Sequence, residues 1–107
     1  MTGYIVVFIT VSSHKEAKKI ARVLIEKKLA ACVNIISGVS SIYHWQGKIE
    51  ESREFLLMAK TTAKLWPGLV KEVVRNHSYD TPEVISFAIT KGLEKYLAWI
   101  NKSLNLD

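Results

Sequence analysis

Residues 32–61 have the sequence CVNIISGVSSIYHWQGKIEESREFLLMAKT, in which two long β-type segments flank a short turn. β-branched and aromatic residues fill 32–45 and 49–61, as is typical of strands. Between them, Gln46-Gly47 suits a hairpin turn because Gly47 can adopt a positive φ. Each segment has about thirteen residues, more than twice the common strand length. We therefore predict a hairpin that extends beyond a small sheet, with a bulge near Gly38 and a partner subunit to cover it.

The elements around this hairpin alternate between strands and helices. Residues 3–11 are almost continuously apolar, which predicts a strand covered on both faces and therefore central in its sheet. Ser13 stands three residues before Glu16, a capping-box spacing, and the helical period that follows continues to about residue 28. Thr61 and Thr62 are candidate caps of a second helix, which we predict from about residue 64 to residue 77.

The last third of the chain completes the pattern. Residues 83–90 predict a fourth strand, and the apolar period over residues 93–104 predicts a closing helix. The order is βαββαβ plus one helix, which right-handed crossovers fold into an antiparallel sheet with both main helices on one face. We therefore predict one domain over residues 1–107. Its class is α+β, a ferredoxin-like βαββαβ sandwich with an extended hairpin, an extra C-terminal helix, and the first and third strands in the middle.

The composition excludes several classes of protein. With 49% hydrophobic and 23% charged residues, the chain of 107 residues is not intrinsically disordered. No apolar run approaches the ~20 residues that cross a bilayer, so we expect no membrane partner. The net charge of +5 is spread over helix faces, and we expect no nucleic-acid partner. The lone Cys32 and the lack of a secretion signal favour a cytoplasmic location.

The motifs that this fold uses for chemistry are missing from the sequence. The third strand has one aromatic residue and three acids, unlike the strand of an RNA-recognition module. One cysteine cannot supply a Cys-x-x-Cys pair, and residues 10–14 lack the glycines of a phosphate-binding loop. No nucleophile and base occur at a catalytic spacing, so we predict that the protein is not an enzyme and acts by binding.

Five motifs, in register over nearly the whole chain, resemble the CutA divalent-cation tolerance family. They are KLAACVNII at 28–36, SIYHWQGKI at 41–49, KT at 60–61, HSYDTPE at 77–83 and YLAWI at 96–100. The resemblance implies a cytoplasmic homotrimer of ferredoxin-like subunits, similar in architecture to the PII signalling proteins. It also implies a link to tolerance of copper or other divalent ions, and no established reaction.

The resemblance also bears on a metal site. Some family members bind copper through a cysteine on the first strand and two adjacent histidines before the Tyr-x-x-Pro-Glu loop. These positions correspond to Ile9, Asn76 and His77 in this chain, so only His77 retains a ligand. We predict a divalent-cation site, for copper or another ion, that uses His77 and Glu83. The other side chains that could bind a metal are scattered and simpler to explain by packing or exposure: Cys32, His14, His44, Met58 and Asp80.

The loop 79–83 is the strongest candidate for a binding pocket. Pro82 rigidifies it, and it brings Tyr79 and Glu83 close to His77 at the entrance of a strand, although a purely structural turn is the alternative. We predict that Lys60, at the end of the adjacent arm, completes a charged pocket. By resemblance to PII-type trimers, that pocket is shared between subunits.

The hairpin residues Tyr43, His44 and Trp45 are predicted to contribute to the trimer contact. The sequence thus predicts a trimeric cytoplasmic protein of the response to divalent metal ions. The alternative is a PII-like regulatory or scaffold trimer that binds a small ligand, such as an anion, or a partner protein in its inter-subunit clefts.

Overall fold

The chain folds into a four-stranded antiparallel sheet and three α-helices, and the computed structural model describes residues 3–106. The strands are β1 (Tyr4–Val11), β2 (Cys32–Trp45), β3 (Lys48–Thr62) and β4 (Val84–Ala88). The helices are α1 (His14–Glu26), α2 (Trp66–Asn76), which follows a 3-10 turn at Ala63–Leu65, and α3 (Glu94–Ser103). The strand order is β2-β3-β1-β4, which confirms the predicted α+β class and the central position of the first and third strands.

One face of the sheet packs against α1 and α2. Alternate side chains of β1, among them Val7 and Ile9, are fully buried beside Leu57 of β3. The helices contribute apolar residues at a period of 3.6, which places them on one side of each helix. These helical core residues are Ala17, Ile20, Leu24, Leu69 and Val73.

The opposite face of the sheet is open. Side chains alternate along β1, so Val6 and Phe8 are only half-buried there. On β4 the side chains of Phe87 and Ile85 are 50% and 44% exposed, and the rings of Phe8 and Phe87 contact edge to face at 5.0 Å. The prediction that the first strand is covered on both faces is therefore wrong for the single chain, because α1 and α2 pack into the core on the same side of the sheet.

Strands β2 and β3 form the predicted long hairpin. Their pairing shifts register between Ile36 and Val39, where Gly38 has a φ of +75°, so the predicted bulge is confirmed. Gln46 and Gly47 both have positive φ, 51° and 77°, as a two-residue hairpin turn requires. Since β1 ends opposite Phe55, the hairpin beyond that point projects from the sheet and stretches the molecule to 47 × 25 × 23 Å.

The start of α2 differs from the sequence prediction. The helix begins at Trp66 with Pro67 in its first turn, because proline lacks the N–H that later helical positions must donate. Thr61 and Thr62 do not cap it. They are the last residues of β3, and their buried hydroxyls have no hydrogen-bond partner within residues 3–106.

Smaller boundary differences occur elsewhere. The fourth strand covers only Val84–Ala88 instead of 83–90. Helix α1 ends at Glu26, two residues early, and Lys28 adopts a φ of 58° that turns the chain into β2. No helix within residues 3–106 is long and apolar enough to span a membrane.

Candidate functional site

A cleft of about 840 Å³ lies between the projecting hairpin and the loop that connects α2 to β4. Its walls are hairpin residues 40–45, Glu50 and Glu54, together with Thr10 at the end of β1 and loop residues 79–81 and 83. The cleft exists because β1 is shorter than β3. The α2–β4 loop therefore lies beside the hairpin beyond the last residue of β1.

Glu54 is the most buried acidic residue of the cleft, and the residue is only 6% exposed to solvent. Its Oε2 accepts a hydrogen bond of 2.9 Å from the Tyr79 hydroxyl. Burial first, and then the contact with Glu54, raises the pKa of Tyr79 to about 12. Tyr79 is therefore a protonated donor at neutral pH, and its bond to Glu54 joins the loop to the hairpin.

His77 anchors the same loop from inside the fold. Its side chain is completely buried, and its Nε2 lies 2.8 Å from the Thr10 carbonyl oxygen. Its Nδ1 lies 3.0 Å from the Tyr79 backbone nitrogen, which donates to it. Both contacts are satisfied by one neutral tautomer, in which Nε2 carries the proton and Nδ1 accepts. The two ring nitrogens are thus engaged by the protein itself.

Glu16 completes this anchor from α1. Its backbone N–H donates to Ser13 Oγ at 3.1 Å, so the predicted cap of α1 is formed. The Glu16 carboxylate, however, turns away from Ser13 and accepts bonds from the Ser78 N–H at 2.7 Å and the Ser78 hydroxyl at 2.8 Å. It also lies 3.4 Å from His77 Nδ1. One side chain therefore ties the start of α1 to the α2–β4 loop.

The structure brings most of the predicted site residues together. Tyr79 and Glu83 line the cleft, and so do the three hairpin residues Tyr43, His44 and Trp45. His77 lies directly behind the wall of the cleft, where it contacts Thr10 and Tyr79.

Lys60 is not among these residues. It pairs with Val6 and with Cys32, and its ammonium group contacts the Asn34 side chain. Lys60 lies five positions after Phe55 on β3, a distance of roughly 17 Å along the strand. Lys60 therefore does not line the cleft of its own chain.

The remaining potential metal ligands are dispersed. Cys32 Sγ lies 3.9 Å from the Asn34 amide oxygen, and the His14 ring packs 5.5 Å from that of Phe55. Met58 pairs with Phe8 in the sheet. Within residues 3–106, no three His, Cys, Asp or Glu side chains are grouped closely enough to hold a metal ion.

The cleft has the opposite charge to the rest of the protein. Glu50, Glu54, Asp80 and Glu83 line it, and the lining residues within the described part of the chain include no Lys or Arg. The chain as a whole carries a net charge of +5. Sequence reasoning missed Glu50, Glu54 and the anchoring role of Glu16. The available signal was the row of acids at 50, 51 and 54 in an otherwise apolar and β-branched segment.

The βαββαβ order of elements in one antiparallel sheet places the chain in the class of ferredoxin-like α+β proteins. A family model described as CutA1 divalent ion tolerance protein matches residues 5–103, and the chain belongs to this family. The predicted resemblance is thereby confirmed.

Individual relatives agree with this membership. The divalent-cation tolerance protein CutA of Thermus thermophilus is 45% identical over 98 residues, covering 92% of this chain and 95% of its own. The chloroplastic protein CutA of Arabidopsis thaliana is 46% identical over 99 residues, and this chain spans 54% of that longer protein, about half its length. The name of the Thermus thermophilus protein describes tolerance of divalent cations.

Solved structures are equally similar. The Thermus thermophilus CutA1 structure has a TM-score of 0.91 at 44% identity and covers 94% of this chain and 97% of its own. The Xylella fastidiosa CutA structure has a TM-score of 0.93 at 37% identity, with 95% and 98% coverage.

Proposed function

We propose that this chain is a homotrimeric protein of the response to divalent metal ions, copper among them, and that it acts by binding and not by catalysis. The observation that carries the proposal is the carboxylate-lined cleft in a protein of net positive charge. Carboxylate oxygens are ligands of divalent cations, and they attract any cation over short range. Membership of the divalent ion tolerance family and the name of the Thermus thermophilus relative support the same direction.

The proposed ligands within the cleft region are Glu83 and His77. Glu83 is exposed and lines the cleft, so its carboxylate is available to a cation. His77 would have to give up the bond from the Tyr79 N–H before its Nδ1 could bind a metal. A site of high affinity therefore needs further ligands, either Asp80 of the same loop or residues of a neighbouring subunit.

Isothermal titration of Cu(II) and Zn(II) into wild type, Glu83→Gln and His77→Ala tests this assignment. We expect Glu83→Gln to weaken binding by about tenfold, since it removes one charged ligand. Glu94→Gln on α3 changes the net charge equally but lies outside the cleft, and it should bind as wild type does. Absence of binding by the wild type, or equal weakening by both glutamine variants, would contradict the proposal.

Two surfaces support the proposed trimer. The open face of the sheet exposes Phe87, Ile85 and Ile36, and the hairpin exposes Ile42, Trp45 and Ile49. Apolar surface of this extent is typical of protein interfaces. In the proposed trimer, Tyr43, His44 and Trp45 contact a neighbouring subunit, and any contribution of Lys60 to a cleft comes from that neighbour.

A second function is favoured by the size of the cleft. Its volume lies in the range of roughly 300–1,000 Å³ that is typical of small-molecule pockets. The alternative is therefore a regulatory or scaffold trimer that holds a small ligand or a partner protein in its inter-subunit clefts. A thermal-shift screen would detect such a ligand, because selective binding to the folded state raises the melting temperature.

We also propose a cytoplasmic location, on the basis of the single cysteine. Fractionation of cells that express a tagged chain tests it. A protein recovered with the cytoplasmic marker is expected, and recovery with a membrane or periplasmic marker would contradict it.

A further inference from the structure

The positive charge of the chain is concentrated on one layer of the fold. Residues 14–28 and 63–76, which include α1 and α2, carry nine Lys and Arg against three acids. The remaining residues carry six Lys and Arg against seven acids, so this layer supplies all of the net charge. The two helices lie side by side, joined by an ion pair of 3.4 Å between Lys27 Nζ and Glu72 Oε1. The fold therefore brings two separate stretches of sequence together into one basic layer.

Most of the basic side chains in this layer have no acidic partner. Two of the three acids are already engaged, since Glu72 is buried between Lys27 and Arg75, and the Glu16 carboxylate turns toward the α2–β4 loop. Glu26 forms no ion pair within residues 3–106. Six exposed cations are also without an ion pair in this part of the chain, and we call them the basic surface: Lys15, Lys18, Lys19, Arg22, Lys64 and Lys71.

The spacing of the cations on α1 works against the stability of that helix. Four cations of the basic surface belong to α1 and form four pairs at a spacing of three or four residues, where like charges repel each other. Lys15 also lies in the first turn, near the positive end of the helix dipole, where a cation is unfavourable. A local arrangement that lowers stability without a compensating contact in the fold is typical of a functional surface. An anionic partner would relieve both the repulsion and the unfavourable position of Lys15.

The basic surface points away from the proposed subunit contacts. Helices α1 and α2 cover one face of the sheet, whereas those contacts lie on the open face and on the hairpin. The lining of the cleft includes none of the six cations. The basic surface is therefore accessible to another molecule both in the single chain and in the proposed trimer.

Exposed apolar residues beside the basic surface favour a protein as the partner. Ile25 and Val74 are exposed by 41% and 51%. Ile25 follows Arg22 by three residues on α1, and Val74 follows Lys71 by three residues on α2, so each lies beside a cation of its own helix. Apolar side chains of a protein can pack at these two positions, whereas the backbone of a nucleic acid offers no such groups.

The basic surface also lacks the groups that bind nucleic acids best. Five of its six cations are Lys, which has no planar fork to bind a phosphate at two points as Arg does. Nucleic-acid bases stack on aromatic rings. Helix α1 contains no Phe, Tyr or Trp, and Trp66 of α2 packs against the core. Carboxylates of a protein are therefore the better match to this surface.

We propose that the basic surface binds an acidic segment of a partner protein, which lies along α1 and α2. The carboxylates of the segment contact the exposed Lys and Arg side chains, and its apolar side chains contact Ile25 and Val74. An amphipathic acidic helix has both kinds of side chain at a suitable spacing. This surface is separate from the cleft of the proposed function, so the two can be tested independently.

Fluorescence anisotropy of a labelled peptide with the repeat Glu-Leu-Glu-Glu tests the proposal on the whole chain. We expect saturable binding that weakens as salt is raised, because exposed charges are screened. A peptide of Glu alone should bind more weakly, since it has no apolar side chains, and the repeat Lys-Leu-Lys-Lys should not bind. Absence of saturable binding by the Glu-Leu-Glu-Glu peptide would overturn the proposal. Tighter binding of a single-stranded DNA of equal length, or of phosphatidylserine vesicles, would also overturn it.

Paired substitutions locate the binding. The double variant Lys15→Gln/Lys19→Gln removes two cations of the basic surface, and we expect roughly tenfold weaker binding of the Glu-Leu-Glu-Glu peptide, the effect of two lost exposed charge contacts. The matched control is Lys91→Gln/Lys95→Gln, which lowers the net charge equally at exposed positions outside α1 and α2 and should bind as wild type does. Equal weakening in the control, or unchanged binding in Lys15→Gln/Lys19→Gln, would overturn the proposal.

Urea unfolding of the same variants separates binding from a purely structural role. Lys15→Gln/Lys19→Gln removes repulsion within α1, and Lys and Gln have similar helix propensities, so its unfolding midpoint should be at or above that of wild type. A variant that binds the peptide more weakly and unfolds at the same or a higher urea concentration supports the proposal. A lower midpoint together with unchanged peptide binding would assign these lysines to the fold and overturn it.

Discussion

The two faces of the central sheet carry similar apolar side chains but have different surroundings. On the face toward α1 and α2, Val7, Ile9 and Leu57 are fully buried. On the other face, Ile85 and Phe87 remain exposed although they occupy comparable positions in the strands. The first face is completed by the chain itself. The second is an apolar surface that residues 3–106 leave partly exposed, and this is the surface that association with other copies would bury.

The projecting hairpin extends this contrast along the length of the molecule. Near the helices, β3 has a strand on each side, whereas from Lys48 to Glu54 it pairs with β2 alone. Two-stranded ribbons are marginally stable in water, and this one exposes Ile42 and Ile49 by 68% and 72%. The well-packed part of the chain therefore holds the fold, and the exposed part is suited to partners and ligands.

The largest predicted effect comes from comparing two adjacent residues of β3 whose side chains lie on opposite faces of the sheet. Leu57 is fully buried toward the helices, and Leu56 is half-buried on the open face. We expect Leu57→Ala to lower the free energy of unfolding of each chain by about 3 kcal/mol, since it leaves a cavity in the core. Leu56→Ala should mainly weaken association, seen as a lower mass on dilution. Urea unfolding and light scattering measure the two effects.

The predicted difference between the two faces would be contradicted if Leu56→Ala destabilised isolated chains as much as Leu57→Ala does. In that case the open face would be packed by the chain itself. An unchanged association constant in Leu56→Ala would likewise separate the open face from the interface.

The second predicted effect concerns the two histidines nearest the cleft. His77→Ala removes contacts to the Thr10 carbonyl and the Tyr79 N–H from a fully buried position, and we expect it to cost about 2 kcal/mol. His44 is exposed on the hairpin, so His44→Ala should cost less than about 0.5 kcal/mol. Urea unfolding of both variants tests the difference. Similar losses from the two substitutions would contradict the anchoring role of His77.

The smallest predicted effect uses the raised pKa of Tyr79. Its pKa rises from 10.0 to about 12 in the folded protein, so the folded state holds the phenol proton more tightly. The stabilisation is complete below pH 10 and is lost as the pH rises toward 12. Tyr79→Phe should be less stable than wild type by about 1 kcal/mol at neutral pH, since it lacks the bond to Glu54.

The difference between wild type and Tyr79→Phe should shrink and then change sign as the phenol ionises, because the buried phenolate destabilises the folded wild type. Urea midpoints measured across the alkaline range give this difference. Tyr4→Phe is the control, because Tyr4 lies at the end of β1 away from the cleft and the variant retains Tyr79, so it should lose stability with pH as wild type does. A difference between wild type and Tyr79→Phe that stays constant with pH would contradict the assigned bond.

The features of the fold that were predicted correctly from the sequence are those that depend on local patterns. The strand and helix order, the turn at Gln46-Gly47 and the bulge at Gly38 depend on residue types and spacings within short segments. The start of α2 was predicted too early because Thr61 and Thr62 have side chains that can cap a helix. In the structure both residues belong to β3, where they pair with Ile5 and Tyr4. That pairing joins residues distant in sequence, which a local pattern does not contain.

The site was predicted only in part for the same reason. Tyr79 and Glu83 were expected at a pocket because they belong to a short motif of the family, and both line the cleft. Tyr43, His44 and Trp45 were predicted as trimer contacts, and they line the same cleft. Glu54 and Glu16 were missed because their roles depend on a strand, a helix and a loop that meet only in three dimensions. Lys60 was expected at the pocket, yet the register of β3 with β1 carries it toward the opposite end of the strand.

Light scattering of the wild-type protein in the micromolar range tests most directly whether other copies complete the open face and the hairpin. We predict a mass of three chains, and a shift toward single chains in the double variant Ile42→Ser/Ile49→Ser. The variant should retain the circular dichroism spectrum of the wild type, because these exposed residues lie outside the core. A wild-type mass of one chain at these concentrations would contradict the proposed assembly.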